Sequence, residues 1–201
     1  MVSHDELAQD LARLRRSLDE VLGEQGGQEL LALAAELQQL AAADLPQGEQ
    51  LDELAQRVAA LDLPQARFLA RSHAIYFDLF NLAEDRHRVR VLRAREAAAH
   101  PEPREESIAA AVAELTSIGL GPEEVQQVLD RLSIEPVFTA HPTEAKRRSG
   151  RVRLRRVREH LATLSEPALL PRERHRTLEL LAADLTATWQ SGAQPVVVLT
   201  K

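Results

Sequence analysis

The sequence contains no cysteine, so disulfides, a thiolate nucleophile and Cys-ligated zinc are all excluded, and with them the small disulfide-stapled secreted scaffold. Aromatic residues are scarce: one Trp, one Tyr and four Phe make up 3% of the chain. A core must therefore be built from Leu, Ala and Val, which suit packed helices better than a β-sandwich. No run approaches the ~18 apolar residues needed to span a bilayer, and Met1-Val2-Ser3-His4-Asp5-Glu6 lacks the basic and apolar regions of a secretory leader. Both absences lead to the expectation of a cytoplasmic protein with no membrane partner. Positive charge is not in excess either. Against 31 Asp and Glu stand 25 Lys and Arg, a net charge of −6, which argues against a chain whose main task is coating nucleic acid.

What is present is ordinary globular material, 44% apolar and 28% charged over 201 residues, enough for one domain with one sizeable core. There is no internal repeat and no low-complexity linker, so no separate second domain is expected. Leu7, Leu11, Leu14, Leu18 and Leu22 recur every three or four residues behind Ser3 and Glu6, a capping-box pair. Extending that reading along the chain predicts helices at about 4–22, 28–43, 49–61, 65–99, 103–118, 122–132, 143–164 and 171–191. Glycines 23, 26 and 27 supply the first break, and prolines 46, 64, 101, 103, 122 and 171 mark later boundaries. Trp189 falls on the apolar stripe of the last helix, where core packing is a better reading than ligand stacking. The expected fold is mainly α.

One segment breaks the helical pattern. Glu135-Pro136-Val137-Phe138-Thr139-Ala140 is β-branched and aromatic between two prolines and predicts a strand at about 135–140; 196–199 is a second β-like run. His141 follows the first strand and leads into a helix, the position where side chains are exposed at the mouth of α/β barrels. Imidazole exchanges a proton near neutral pH, and the amides opening the next helix favour an anion, so His141 reads as a proton-transfer group beside an anion site. The alternative is a histidine that caps the helix or satisfies a hydrogen bond in the core.

Charge is segregated as well. Residues 144–160 hold eight basic side chains and two acidic ones, and Arg148, Arg151, Arg155 and Arg158 are spaced to line one face of the helix after His141. That face is either simply solvated or an anion-binding stripe. The cluster Glu84, Asp85, His87 with Arg86 and Arg88 is better read as a solvent or interface face than as a metal site, since successive helical side chains point in different directions.

The residues carry a more specific signal. Val137-Phe138-Thr139-Ala140-His141-Pro142-Thr143-Glu144 with Arg147-Arg148 resembles the histidine signature of phosphoenolpyruvate carboxylases. Tyr76-Phe77-Asp78-Leu79-Phe80-Asn81-Leu82-Ala83-Glu84-Asp85-Arg86-His87-Arg88 is similar to an N-L-A-E helix of bacterial members, and the run through Leu22-Gly23-Glu24-Gln25-Gly26-Gly27 is similar too. The resemblance covers about residue 5 to Ser191. Beyond Trp189 the family continues with an acidic T-D-E or S-D-E segment and an arginine, where this chain reads Gln190-Ser191-Gly192-Ala193-Gln194 and runs to Lys201.

The resemblance implies a helical N-terminal layer of an α/β-barrel enzyme that converts phosphoenolpyruvate and bicarbonate to oxaloacetate and phosphate with Mg²⁺ or Mn²⁺. It implies that His141 takes the proton of carboxyphosphate, and that Arg147 and Arg148 match paired arginines of a sugar-phosphate activator site in plant-type members. The family's metal carboxylates have no counterpart in this sequence. Full-length members are implied to be homotetramers, and this chain is expected to be an N-terminal portion inactive on its own; a non-catalytic helical interaction module derived from that region is the alternative. An apolar face left without its barrel would be expected to promote self-association.

Overall fold

Leucine at every third or fourth position organises a set of long helices. The computed structural model describes residues 4–42, 47–137 and 148–191, which form α1 (His4–Ala42), α2 (Gln47–Ala59), α3 (Leu63–Ala99), α4 (Ile108–Ser117), α5 (Pro122–Arg131), α6 (Arg148–Leu164) and α7 (Pro171–Gln190). The described residues contain no strand. Residues 135–137 of the expected strand are irregular, for want of a neighbouring ladder to satisfy their backbone groups; its remainder and the run at 196–199 lie outside the described residues. The mainly α expectation is met.

The chain divides into two compact units. One holds α1, α2, residues 63–86 of α3, α6 and α7. Its core is Leu14, Leu18, Val21 and Leu22 from α1, Phe68, Ile75, Leu79, Leu82 and Ala83 from α3, Val157, Leu161 and Leu164 from α6, and Leu181, Leu185 and Trp189 from α7. Several of these are wholly enclosed, so each leucine contributes about 1.5–3 kcal/mol by leaving water. A smaller cluster of Ala34, Leu37 and Leu69 seats α2 through Leu54, with Leu61 of the following connection packed beside it. The other unit holds residues 87–99 of α3, α4, α5 and the irregular stretch to Val137. Neither α4 nor α5 has a buried residue.

The expected gap between the first two helices narrows to a single residue. Gly23 and Gly26 stay helical, and only Gly27 leaves the helix, at φ 81° and ψ 168°. That backbone region is essentially closed to residues with a Cβ. Gly26 is constrained differently: an added Cβ would lie 2.1 Å from the Phe68 ring. Gly27→Ala is expected to destabilise the chain by about 1–3 kcal/mol, seen as a lower urea midpoint at unchanged slope; an unaltered midpoint would show that the turn relaxes freely.

The fourth helix starts later than the expected residue 103. Ser107 provides the cap, its Oγ accepting from the Ala110 amide at 3.0 Å, and Glu106 just before it turns through φ 61°. At α5 and α7 the third helical residue caps instead: Glu124 Oε2 accepts from the Gly121 amide at 2.8 Å, and Glu173 Oε2 from the Leu170 amide at 3.1 Å.

Candidate functional site

His141 and Arg147, the base and one effector arginine expected from the sequence, lie outside the described residues. Arg148 is the first residue of α6 and is exposed. The orientation of α6 follows from its apolar residues: Val157, Leu161 and Leu164 are buried against α7, which turns Arg148, Arg151, Arg155 and Arg158 outward. The stripe is not uniform. Arg155 meets Glu159 at 3.4 Å and Arg158 meets Asp85 at 3.7 Å, whereas Arg148 and Arg151, nearest the segment that carries His141, have no carboxylate partner among the described residues. Exposed pairs of this kind contribute little to stability. Among the described residues, the positive charge without a carboxylate partner is therefore concentrated at the start of α6, where the helix N-terminus also favours an anion.

The inner side of α6 is locked to α7. Asp184 lies 3.0 Å from His160 Nε2 and 3.6 Å from Arg156, and Arg153 donates to Ser191 Oγ at 2.9 Å. At the end of α7, Trp189 meets Phe68 edge-on with ring centroids 4.9 Å apart, and the Arg71 guanidinium lies 4.8 Å over its ring. Core packing is thus the role the structure gives Trp189. Burial first, and then the nearby Arg67 charge, lower the Arg71 pKa, and its Nε and Nη2 are buried without a hydrogen-bond partner among the described residues. The indole face is what holds this cation.

In the Tyr76-to-Arg88 segment, Glu84, Asp85 and Arg88 are exposed as expected. Arg86 is not: it turns inward and meets Asp10 of α1 at 2.5 Å, where Asp10 is 1% exposed. Asp10 also lies 3.6 Å from Arg13. The signal was present in the sequence. Asp10 occupies the apolar stripe between Leu7 and Leu14, and Arg86 continues the spacing of Leu79 and Leu82, so a carboxylate and a guanidinium are both aimed at the core.

A cavity of about 250 Å³ lies between the two halves of α1 and α3, floored by Leu18, Leu22 and Leu31. Its charged groups satisfy one another, Arg15 contacting Asp19 at 3.6 Å, Gln38 and the Tyr76 face. Burial raises the Asp19 pKa, partly offset by Arg15. Among the described residues no three His, Asp or Glu side chains are grouped to hold a metal ion, and no helix is long and apolar enough to cross a membrane.

The family model for phosphoenolpyruvate carboxylase matches residues 7–194. The chain belongs to that family. Phosphoenolpyruvate carboxylase of Roseiflexus castenholzii is 39% identical over 163 residues, 80% of this chain and 17% of its own length. That of Thermus thermophilus is 41% identical over 150 residues, 74% of this chain and 18% of its own. The Chromobacterium violaceum carboxylase is 34% identical over 195 residues, 96% of this chain and 21% of its own. The chain thus spans about a fifth of the length of the curated carboxylases it matches. Within the matched region fall His141, Arg147 and Arg148, and the Asp10–Arg86 pair ties together two helices of a carboxylase N-terminal portion.

Proposed function

We propose that this chain is the N-terminal portion of a phosphoenolpyruvate carboxylase domain, contributing His141 as a base to the conversion of phosphoenolpyruvate and bicarbonate into oxaloacetate and phosphate. The observation that carries the reading is the family match across residues 7–194, which spans the His141 signature. That Arg148 and Arg151 have no carboxylate partner among the described residues supports an anionic ligand close to the same segment, with Arg147 and Arg148 as effector-binding candidates. A neutral imidazole is required of such a base.

The carboxylases' divalent Mg²⁺ or Mn²⁺ does not fit the described residues, which offer no suitable cluster of carboxylates, so no step through the metal is assigned to this chain. A cytoplasmic setting and a homotetrameric complete enzyme belong to the same proposal. One general base contributes about 10²- to 10⁴-fold, while charge stabilisation by metal and arginines is the larger effect. Alone, therefore, the purified chain is expected to bind phosphoenolpyruvate weakly and salt-dependently but to form no oxaloacetate. A malate-dehydrogenase-coupled assay with bicarbonate and Mg²⁺, repeated with Mn²⁺, checks this; metal-dependent oxaloacetate above the host background would mean that the chain carries a complete site.

A further inference from the structure

The α1 helix folds back on itself, and the fold-back leaves a space that leucine packing does not fill. Gly27 breaks the helix at φ 81°, and Arg15 of the first arm donates to Gln38 Oε1 of the second, so the two arms run side by side. Leu18 and Leu22 of the first arm are each 3% exposed. Opposite them the second arm presents Ala34 and Ala35, too small to close the gap. The result is the cavity of about 250 Å³, walled on its third side by Ser72 and Tyr76 of α3 and contained in one compact unit. Its volume lies just below the ~300–1,000 Å³ of drug-sized ligand sites and suits a small metabolite.

The lining is divided by chemistry. Its depth is aliphatic, and its mouth carries one charge of each sign, Arg15 and Asp19, whose side chains are 44% and 42% exposed. Among the described residues no other charged side chain lines it. At 3.6 Å the Arg15–Asp19 contact is longer than an ordinary hydrogen bond, so the guanidinium keeps N–H groups, and the carboxylate keeps lone pairs, for a ligand. Burial is the larger influence on Asp19 and raises its pKa against the lowering effect of Arg15; a carboxylate so placed gains from a cationic donor.

Charge selects the ligand. A plain carboxylate would be drawn to Arg15 and repelled by Asp19, and a plain amine the reverse. A zwitterion satisfies both, provided that its two charges share one end and an apolar group extends from the other. We propose that this cavity binds a free aliphatic α-amino acid, with its carboxylate on Arg15, its ammonium on Asp19 and its side chain against Leu18, Leu22 and Ala34. The site shares no residue with the His141 signature, and the proposal does not depend on the carboxylase reading. Because the bound molecule touches both arms of α1, it stabilises the fold-back at Gly27 by mass action.

The test titrates L-leucine into the full chain by calorimetry and follows the backbone amides by NMR. Saturable binding at millimolar concentration is expected, with shifts centred on the two arms of α1 and on the Ser72–Tyr76 turn of α3. L-Alanine, which lacks most of the aliphatic group, is expected to bind at least about tenfold more weakly. Isocaproate lacks the ammonium and isoamylamine the carboxylate; each is expected to bind at least about threefold more weakly than L-leucine. Ala35→Leu fills the space and is expected to keep the urea midpoint while abolishing binding. Asp19→Asn, at a half-exposed position, is expected to keep the fold and to reverse the preference between L-leucine and isocaproate. Absence of saturable L-leucine binding overturns the proposal, as do shifts confined to other helices or binding indifferent to Ala35→Leu. Equal affinity for isocaproate overturns it too and assigns the cavity to an aliphatic carboxylate. If Ala35→Leu lowers the midpoint, Asp19→Asn decides alone, and an unreversed preference overturns the proposal.

Discussion

In a complete carboxylase carrying this N-terminal portion, His141→Asn is expected to cut oxaloacetate formation by about 10²- to 10⁴-fold while phosphate release from phosphoenolpyruvate stays bicarbonate-dependent. The order of events sets that split. On the proposed role, phosphoryl transfer to bicarbonate would come first, giving carboxyphosphate and an enolate, and the base would act afterwards, taking the carboxyphosphate proton so that CO₂ and phosphate separate and CO₂ joins the enolate carbon. Asparagine keeps a side chain of similar size but takes no proton near neutral pH, so the lost rate is that of a general base, about 10²- to 10⁴-fold. Carboxyphosphate then hydrolyses and the enolate is protonated to pyruvate. Measuring pyruvate, phosphate and oxaloacetate together separates the outcomes: unchanged oxaloacetate removes His141 from the mechanism, while equal loss of all three products places it in binding or phosphoryl transfer.

Asp10→Ala is expected to destabilise the chain by about 3–5 kcal/mol, because it leaves the Arg86 guanidinium, 13% exposed, facing a core position without its carboxylate. Much of that cost is the stranded charge and not the lost attraction. Replacing both partners by apolar residues of similar volume, Asp10→Leu with Arg86→Met, is therefore expected to recover most of the loss, as a double-mutant cycle on urea midpoints would show. If Asp10→Ala stays within about 1 kcal/mol of the unsubstituted chain, the pair is not what joins α1 to α3.

The sequence made the helices legible because leucine spacing and proline punctuation agree with one another. Their faces were less legible. Helical spacing from Trp189 back through Leu185 and Leu181 would place Leu178 on the same stripe, yet it is 38% exposed, and Thr177 and Thr188 are buried instead, each hydroxyl satisfied by the carbonyl one turn back, at 2.7 and 2.8 Å. A threonine that satisfies itself within its helix counts as apolar surface, which a hydrophobicity pattern does not register. Asp10 and Arg86 were missed for a related reason: each looks polar alone and becomes a core residue only with its partner, which lies 76 positions away. The strand expected at 135–140 rested on local β-propensity, but a strand also needs a ladder, and that comes from elsewhere in a sheet. The His141 signature was legible as a motif because the identity of a short run does not depend on tertiary context. Arg148 is the first residue of α6, and His141 and Arg147 lie outside the described residues.

The packing at the end of α7 also gives the protein an internal optical probe. Trp189 is the chain's one indole, 8% exposed, edge-on to Phe68 and covered by Arg71. Its emission therefore follows the seating of α7 on α3, whereas far-ultraviolet ellipticity counts every helix. Since α4 and α5 have no buried residue, they are expected to melt first on heating, with the ellipticity falling before the emission shifts to the red. The interval between the two curves measures how much of the helical content is held by the core of α1, α3, α6 and α7 and how much lies outside it.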